Sequence, residues 1–304
     1  MTRLTGLMLA LVLAALTVIA AGAATSDDTD EVEGGIVGTG IMPAGILGVI
    51  TQLGSIHVLG QRVVFDDAFS VDSALGPQPA SDLVPGDVVA VLADPMPEGP
   101  DWQARAIERI FGLIGPVEAA GDGTFTVLGT RVLGDADGLE PGSWVAVSGF
   151  WQGMDFDATR VERIAPRASA VVQGSWRLMD GTPVIGGSVL TGIRPAHADP
   201  GAVLRAEGTP VPGGIDAERL SFGTFPGSPG VVLAEGYLSM ADASGLYIQL
   251  GSGLVDYTDN PGMIDPAERV LRCGMPDPDA TLPDGLSDRL GCAGRSMMDP
   301  ATAN

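Results

Sequence analysis

The chain of 304 residues contains no lysine, and its positive charge rests on arginine alone. Sixteen basic residues face 38 acidic ones, for a formal net charge of −22. Such a chain repels phosphates, and proteins that bind nucleic acids carry a basic face, so a nucleic-acid partner is excluded. Histidine and cysteine are scarce too, with two of each. His57 and His197 lie far apart in sequence, and no histidine stands near Cys273 or Cys292. A zinc site needs about four ligands, so these residues do not suggest one. No Gly-x-Ser-x-Gly elbow occurs anywhere, which argues against hydrolase chemistry built on that motif. No cofactor is expected.

Glycine and proline are abundant, at 44 and 23 residues, and hydrophobic residues make up 45%. Many turns and short elements follow, with enough apolar material for buried cores. The patterning repeats. In residues 112–164 three marks come in order: Val127-Leu128-Gly129-Thr130-Arg131-Val132, then Pro141-Gly142-Ser143-Trp144-Val145-Ala146-Val147, then Ala158-Thr159-Arg160-Val161. Upstream the same order is kept by Val58-Leu59-Gly60-Gln61-Arg62-Val63, Pro85-Gly86-Asp87-Val88-Val89-Ala90-Val91 and Ala104-Arg105-Ala106-Ile107. Downstream it is kept by Val184-Ile185-Gly186-Gly187-Ser188-Val189, Pro200-Gly201-Ala202-Val203-Leu204 and Ala217-Glu218-Arg219-Leu220.

The first mark reads as a hairpin, with Gly60 at the first of two turn positions in a type II′ turn. Phe125, Val127 and Val132 face inward with period two, while Thr124, Thr126 and Arg131 face solvent. The closing run, with Ala158, Val161 and Ile164 spaced by three, could be a helical turn, but its shortness favours a strand with a bulge.

The rest of the chain falls around these copies. Residues 1–23 read as a secretory signal peptide: Arg3, an apolar run over Leu4–Ala20, and the small residues Ala21-Gly22-Ala23. No membrane span is expected once it is cleaved. Residues 24–44 form an acidic and glycine-rich linker. Its Gly34–Gly40 segment lacks the strand before and the helix after that a phosphate-cradling loop requires. The repeats occupy 45–111, with an insertion at Asp72–Leu83, then 112–167 and 168–222. Residues 231–272 repeat only the first half of the unit, as a partial repeat or a hairpin extension. Residues 273–304 read as a poorly ordered tail carrying both cysteines.

Units of roughly 50 to 65 residues with four or five short strands expose edges unless they close. The fold class is therefore all-β: tandem five-stranded OB-like barrels, three complete and a partial fourth. Units this small gain only about 3–5 kcal/mol from their own cores, so packing between them matters. Trp102, Trp144 and Trp151 read as core or inter-barrel packing.

The motif halves, Gly-x-[Ile/Val]…Val-[Leu/Ile]-Gly-x-x-Val and Leu-x-Pro-Gly-[Asp/Ser]-x-Val-x-Val, resemble a bacterial exported family of unknown function with tandem OB-like domains. Residues 34–40 and 48–58 resemble the start of that family's first unit. The resemblance spans about Gly34 to Phe222 and implies the fold and export; it brings no catalytic residues.

Cys273 and Cys292 are expected to form one disulfide in an oxidising compartment. Asp135, Asp137, Asp155 and Asp157 are calcium candidates, although Asp and Gly are also what hairpin turns need. Asp256, Asp259, Asp277 and Asp279 form a further acidic group. The expected function is an exported, non-enzymatic binding or structural module of the cell envelope, whose partner is an envelope polymer or protein. The alternatives are a carboxylate-dependent hydrolase of envelope polymer and a calcium-stabilised adhesion array.

Overall fold

A computed structural model describes residues 42–275, 284–293 and 297–300. The signal-like segment, most of the linker with its Gly34–Gly40 run, and Asp277 and Asp279 lie outside the described residues. The regular elements of the described chain are almost all strands.

The first unit contains β1 (Ala44–Gln52), β2 (Ile56–Val58), β3 (Gln61–Val64), β4 (Ser70–Ser73), β5 (Gln78–Pro79), β6 (Val88–Pro95) and β7 (Trp102–Ile110). β1 pairs antiparallel with β2 and β6, β2 with β3, and β6 with β7. β3 then pairs in parallel with β7, which closes the five strands into a barrel. The inserted β4 and β5 hang on β7.

The second unit, β8 (Leu113–Gly121), β9 (Thr124–Val127), β10 (Thr130–Leu133), β11 (Trp144–Gln152) and β12 (Asp155–Ile164), has the same pairings in the same order. So has the third: β13 (Ala170–Met179), β14 (Thr182–Ile185), β15 (Ser188–Gly192), β16 (Val203–Val211) and β17 (Gly214–Phe222).

Each mark in the sequence has a structural counterpart. The Pro-Gly mark is a type II turn, with proline at its second position and glycine at a positive φ at its third. Those φ values are 95° at Gly86, 90° at Gly142 and 103° at Gly201. The turn N–H bonds recur as Asp87 to Val84 O, Ser143 to Glu140 O and Ala202 to Asp199 O. The closing run is a strand with a bulge, as the sequence reading prefers. The register slips between Leu92 and Ala93, between Ser148 and Gly149, and between Glu207 and Gly208, each time opposite the Ala-x pair of the mark.

The hairpin differs from the type II′ expectation. Leu59 and Gly60 have φ of 54° and 79°, and Leu128 and Gly129 have 50° and 78°, so both turns are type I′ with the leucine at the first position. The leucine tolerates this left-handed backbone because its side chain lies over a glycine of the barrel's first strand. A Cβ on Gly48 would sit 2.6 Å from Leu59 Cδ2, and one on Gly115 would sit 3.0 Å from Leu128 Cγ.

The third unit breaks this pattern. Gly186 stands where the leucines stand, and the indole of Trp151 from the second unit fills the hollow between Gly174 and Gly186. Trp151 Nε1 donates to Gln173 O at 2.7 Å, and the ring meets Phe156 edge-on at 4.9 Å. The second and third units consequently share one buried cluster.

The remaining strands are β18 (Val231–Tyr237), β19 (Leu246–Gln249), β20 (Leu254–Tyr257), β21 (Arg269–Gly274) and β22 (Met297–Pro300). They follow the same neighbour order, with two departures. A single bridge, Leu238 to Gln249, joins β19 to the end of β18. β22 is parallel to β21 and antiparallel to β20, the reverse of the last strand in the other units. β18 returns to the start of the chain and pairs in parallel with β1, from Ala44↔Val231 to Leu47↔Ala234.

Within the Cys-bearing tail, the described residues hold short regular elements. Leu286–Leu290 form a short helix, α1, and β22 is a strand; Leu286, Leu290 and Met298 are buried. Leu286 and Leu290 enter the first barrel's buried cluster, and Met298 enters a second one. Cys273 and Cys292 form the expected disulfide.

Candidate functional site between the first two barrels

The type II turn before β6 places Asp87 at the junction of the first two barrels, where it is fully buried. One carboxylate oxygen caps the turn, accepting the Val84 N–H at 3.0 Å. The other lies 2.8 Å from Arg109 Nη2 and 3.2 Å from Arg160 Nε. Arg109, on β7 and 4% exposed, also reaches Glu162 Oε2 on β12 at 2.7 Å, and its guanidinium lies 4.5 Å over the Phe111 ring. Burial pushes the Asp87 carboxyl above its usual range; the Val84 N–H and the two arginines pull it back in part.

More polar links tie the units at this junction. Thr159, the extra residue of the second unit's bulge, donates from Oγ1 to Gly86 O at 2.7 Å. Ser148 Oγ donates to Ile110 O at 3.0 Å. Arg205 of the third unit pairs with Glu108 of the first, and its Nε donates to Gln173 Oε1 at 3.0 Å.

Beside this cluster opens a groove of about 370 Å³ lined by Asp135, Asp137, Leu139, Arg160 and Arg163. Arg163 Nη2 donates to Asp137 O at 2.7 Å, and Asp135 Oδ1 accepts the Asp137 N–H at 2.8 Å in an Asx turn. The groove thus brings exposed Asp135 and Asp137, in the loop between β10 and β11, beside Arg160 and exposed Arg163 on the bulged strand β12.

Two of the four candidate aspartates, Asp135 and Asp137, meet here. The others lie elsewhere: Asp155 pairs with Arg131, and Asp157 accepts the Tyr237 hydroxyl at 2.6 Å with Arg269 Nη1 at 3.8 Å. The Tyr237 hydroxyl is pushed up to about 12, first by burial and then by the Asp157 carboxylate. Among the described residues no three His, Cys, Asp or Glu side chains gather in a metal-holding group. His57 lies on β2 and His197 in the loop before β16.

Reading the sequence for motifs missed Asp87, Arg109, Arg160 and Glu162. One signal was there: the residue after Pro-Gly is Asp87 in the first copy, Ser143 in the second and Ala202 in the third. Only in the first copy can it carry charge.

Two segments, residues 47–108 and 114–162, match the model of a domain of unknown function (DUF5666). The matched segments cover most of the first barrel and nearly all of the second, so the Asp87 cluster lies at the seam between the two matching segments. The third barrel, outside both segments, keeps the same strand pairings. No curated protein and no solved structure matches the chain.

Proposed function

We propose that the chain is an exported, non-enzymatic binding or structural module of the cell envelope, with an envelope polymer or protein as its partner. The observation that carries this reading is the sealed Asp87 cluster. A carboxyl with a raised pKa is the usual mark of an acid catalyst. Here it is wholly buried and clamped by Arg109 and Arg160, so it joins two domains instead of meeting a substrate. The open groove beside it offers arginine and aspartate groups suited to hydrogen-bonding the hydroxyls and carboxylates of a polar polymer.

Export is supported by the signal-like sequence of residues 1–23 and by the buried disulfide, which suits an oxidising compartment. No helix among the described residues is long and apolar enough to cross a membrane. Cell fractionation with mass spectrometry tests export: the expected species lies outside the cytoplasm, begins after Ala23 and has no free thiol. A full-length cytoplasmic species with two free thiols contradicts it. Binding is tested by co-sedimentation with purified cell-wall polymer. Arg163→Ala is expected to weaken retention severalfold without change in the polymer; release of polymer fragments would point to the hydrolase instead.

A further inference from the structure

The disulfide ties Cys273 on β21 to Cys292 just past α1, and the two short elements α1 and β22 each lean on a different unit. α1 has five residues, far below the length at which a helix is stable by itself. It exists because it is docked. Leu286 and Leu290 enter the cluster that holds Ile46, Ile50 and Trp102 of the first barrel. Arg289 donates to Gly99 O at 2.7 Å and to Asp101 O at 2.8 Å, with its guanidinium 5.4 Å over Trp102. Gln61 accepts the Trp102 indole N–H at 2.8 Å and donates to Leu290 O at 3.4 Å. β22 is as slight. It pairs through Met297 and Met298 with β21, and through Asp299 and Pro300 with β20.

Cys273 lies between these pieces. Register runs across four adjacent strands, from Ile46 on β1 to Leu233 on β18, Cys273 on β21 and Met297 on β22. Ile46, Leu233, Cys273 and Cys292 share the buried cluster that α1 covers, and Met297 packs against it. The neighbouring row, with Val232 and Met298, faces a second cluster that holds Leu47, Val88 and Phe150. The bond from Cys273 to Cys292 therefore fixes α1 on the first barrel and holds the segment that becomes β22 beside β21.

We infer that Cys273–Cys292 is an oxidation-dependent latch: its formation docks α1 over Trp102 and seats β22, completing the first and fourth units while leaving the buried cluster shared by the second and third unaffected. The chemistry is thiol–disulfide exchange. Two thiols lose two protons and two electrons to form the S–S bond, and a partner disulfide is reduced to a dithiol. Before that bond forms, five helical residues and four strand residues must dock as separate weak contacts. Afterwards their docking is intramolecular, at high effective concentration.

Hydrogen exchange on the full chain tests this, comparing oxidised wild type with the Cys273→Ser/Cys292→Ser variant. The expected result is a loss of protection of about a hundredfold in residues 285–292 and at Trp102 and Gln103, with changes below about threefold across β8–β17. Unchanged protection in α1 would overturn the proposal, as would an equal loss in all four units, which marks a general staple. If the variant does not fold, the oxidised Leu286→Ser/Leu290→Ser chain replaces it. Loss of protection confined to α1 and the Trp102 region supports the latch, and loss throughout the chain refutes it.

Discussion

At the residue scale, stability turns on positions where one copy differs from the others. Asp87 is the charged version of a residue that is Ser143 and Ala202 elsewhere, and it serves as turn cap and as counter-ion to Arg109. Asp87→Ala leaves Arg109 buried with Glu162 as its remaining partner, and urea denaturation should show a loss of about 3 kcal/mol. The pH dependence has a definite sign. Because burial raises the folded carboxyl above its ordinary value of 3.8, its proton-linked stability is complete below pH 3.8 and is lost as pH rises through the folded value. Asp87→Asn lacks that titration, so across this window its denaturation midpoint should gain on wild type as pH rises. A constant difference between the two would contradict the assignment.

Trp151 and Gly186 form the second such pair. Gly186→Leu restores the residue found in the other copies but collides with the indole. Trp151→Ala empties the shared cluster, at a cost of about 3–5 kcal/mol. The double variant should lose less than the sum of the two single losses, measurable as a coupling in a double-mutant cycle. Strict additivity would mean that the indole and the hairpin do not compete for one space.

At the element scale, the turns and bulges carry the repeat, and they were legible because each needs a particular residue type. Pro-Gly sets the type II turn, Val-Leu-Gly sets the hairpin, and Ala-x marks the bulge. Gly142→Ala should cost about 1 kcal/mol from its positive φ alone, since no atom lies within 4 Å of the new Cβ. Gly86→Ala should cost more, because its Cβ would also lie 3.1 Å from Thr159 O across the seam. Thermal melts of the two variants measure the difference.

The hairpin class was misread because a leucine in the left-handed region is unusual; only the glycine packed beneath it in space makes it tolerable. The parallel pairing of β1 with β18, the reversed β22 and the docking of α1 were not legible. Each joins segments far apart in sequence, and short apolar stretches do not announce their partners. The Asp87 cluster was hidden for the same reason, since Arg109 and Glu162 stand 53 positions apart.

At the scale of the whole molecule, the units interlock. The second and third share a buried cluster; β18 shares β1 with the first; and the cluster holding Leu47, Val88 and Phe150 unites residues of the first, second and fourth units. Small barrels that would be marginal alone thereby gain a common core. The Asp135–Asp137 loop is held by its own hydrogen bonds and by Arg163, so the melting midpoint should be the same with calcium and with chelator. A chelator-induced fall of several degrees would favour the adhesion-array alternative. Differential scanning calorimetry of the oxidised protein tests the interlocking most directly. One transition is predicted, with calorimetric and van't Hoff enthalpies in agreement; two or more resolved transitions would show independent barrels on a string.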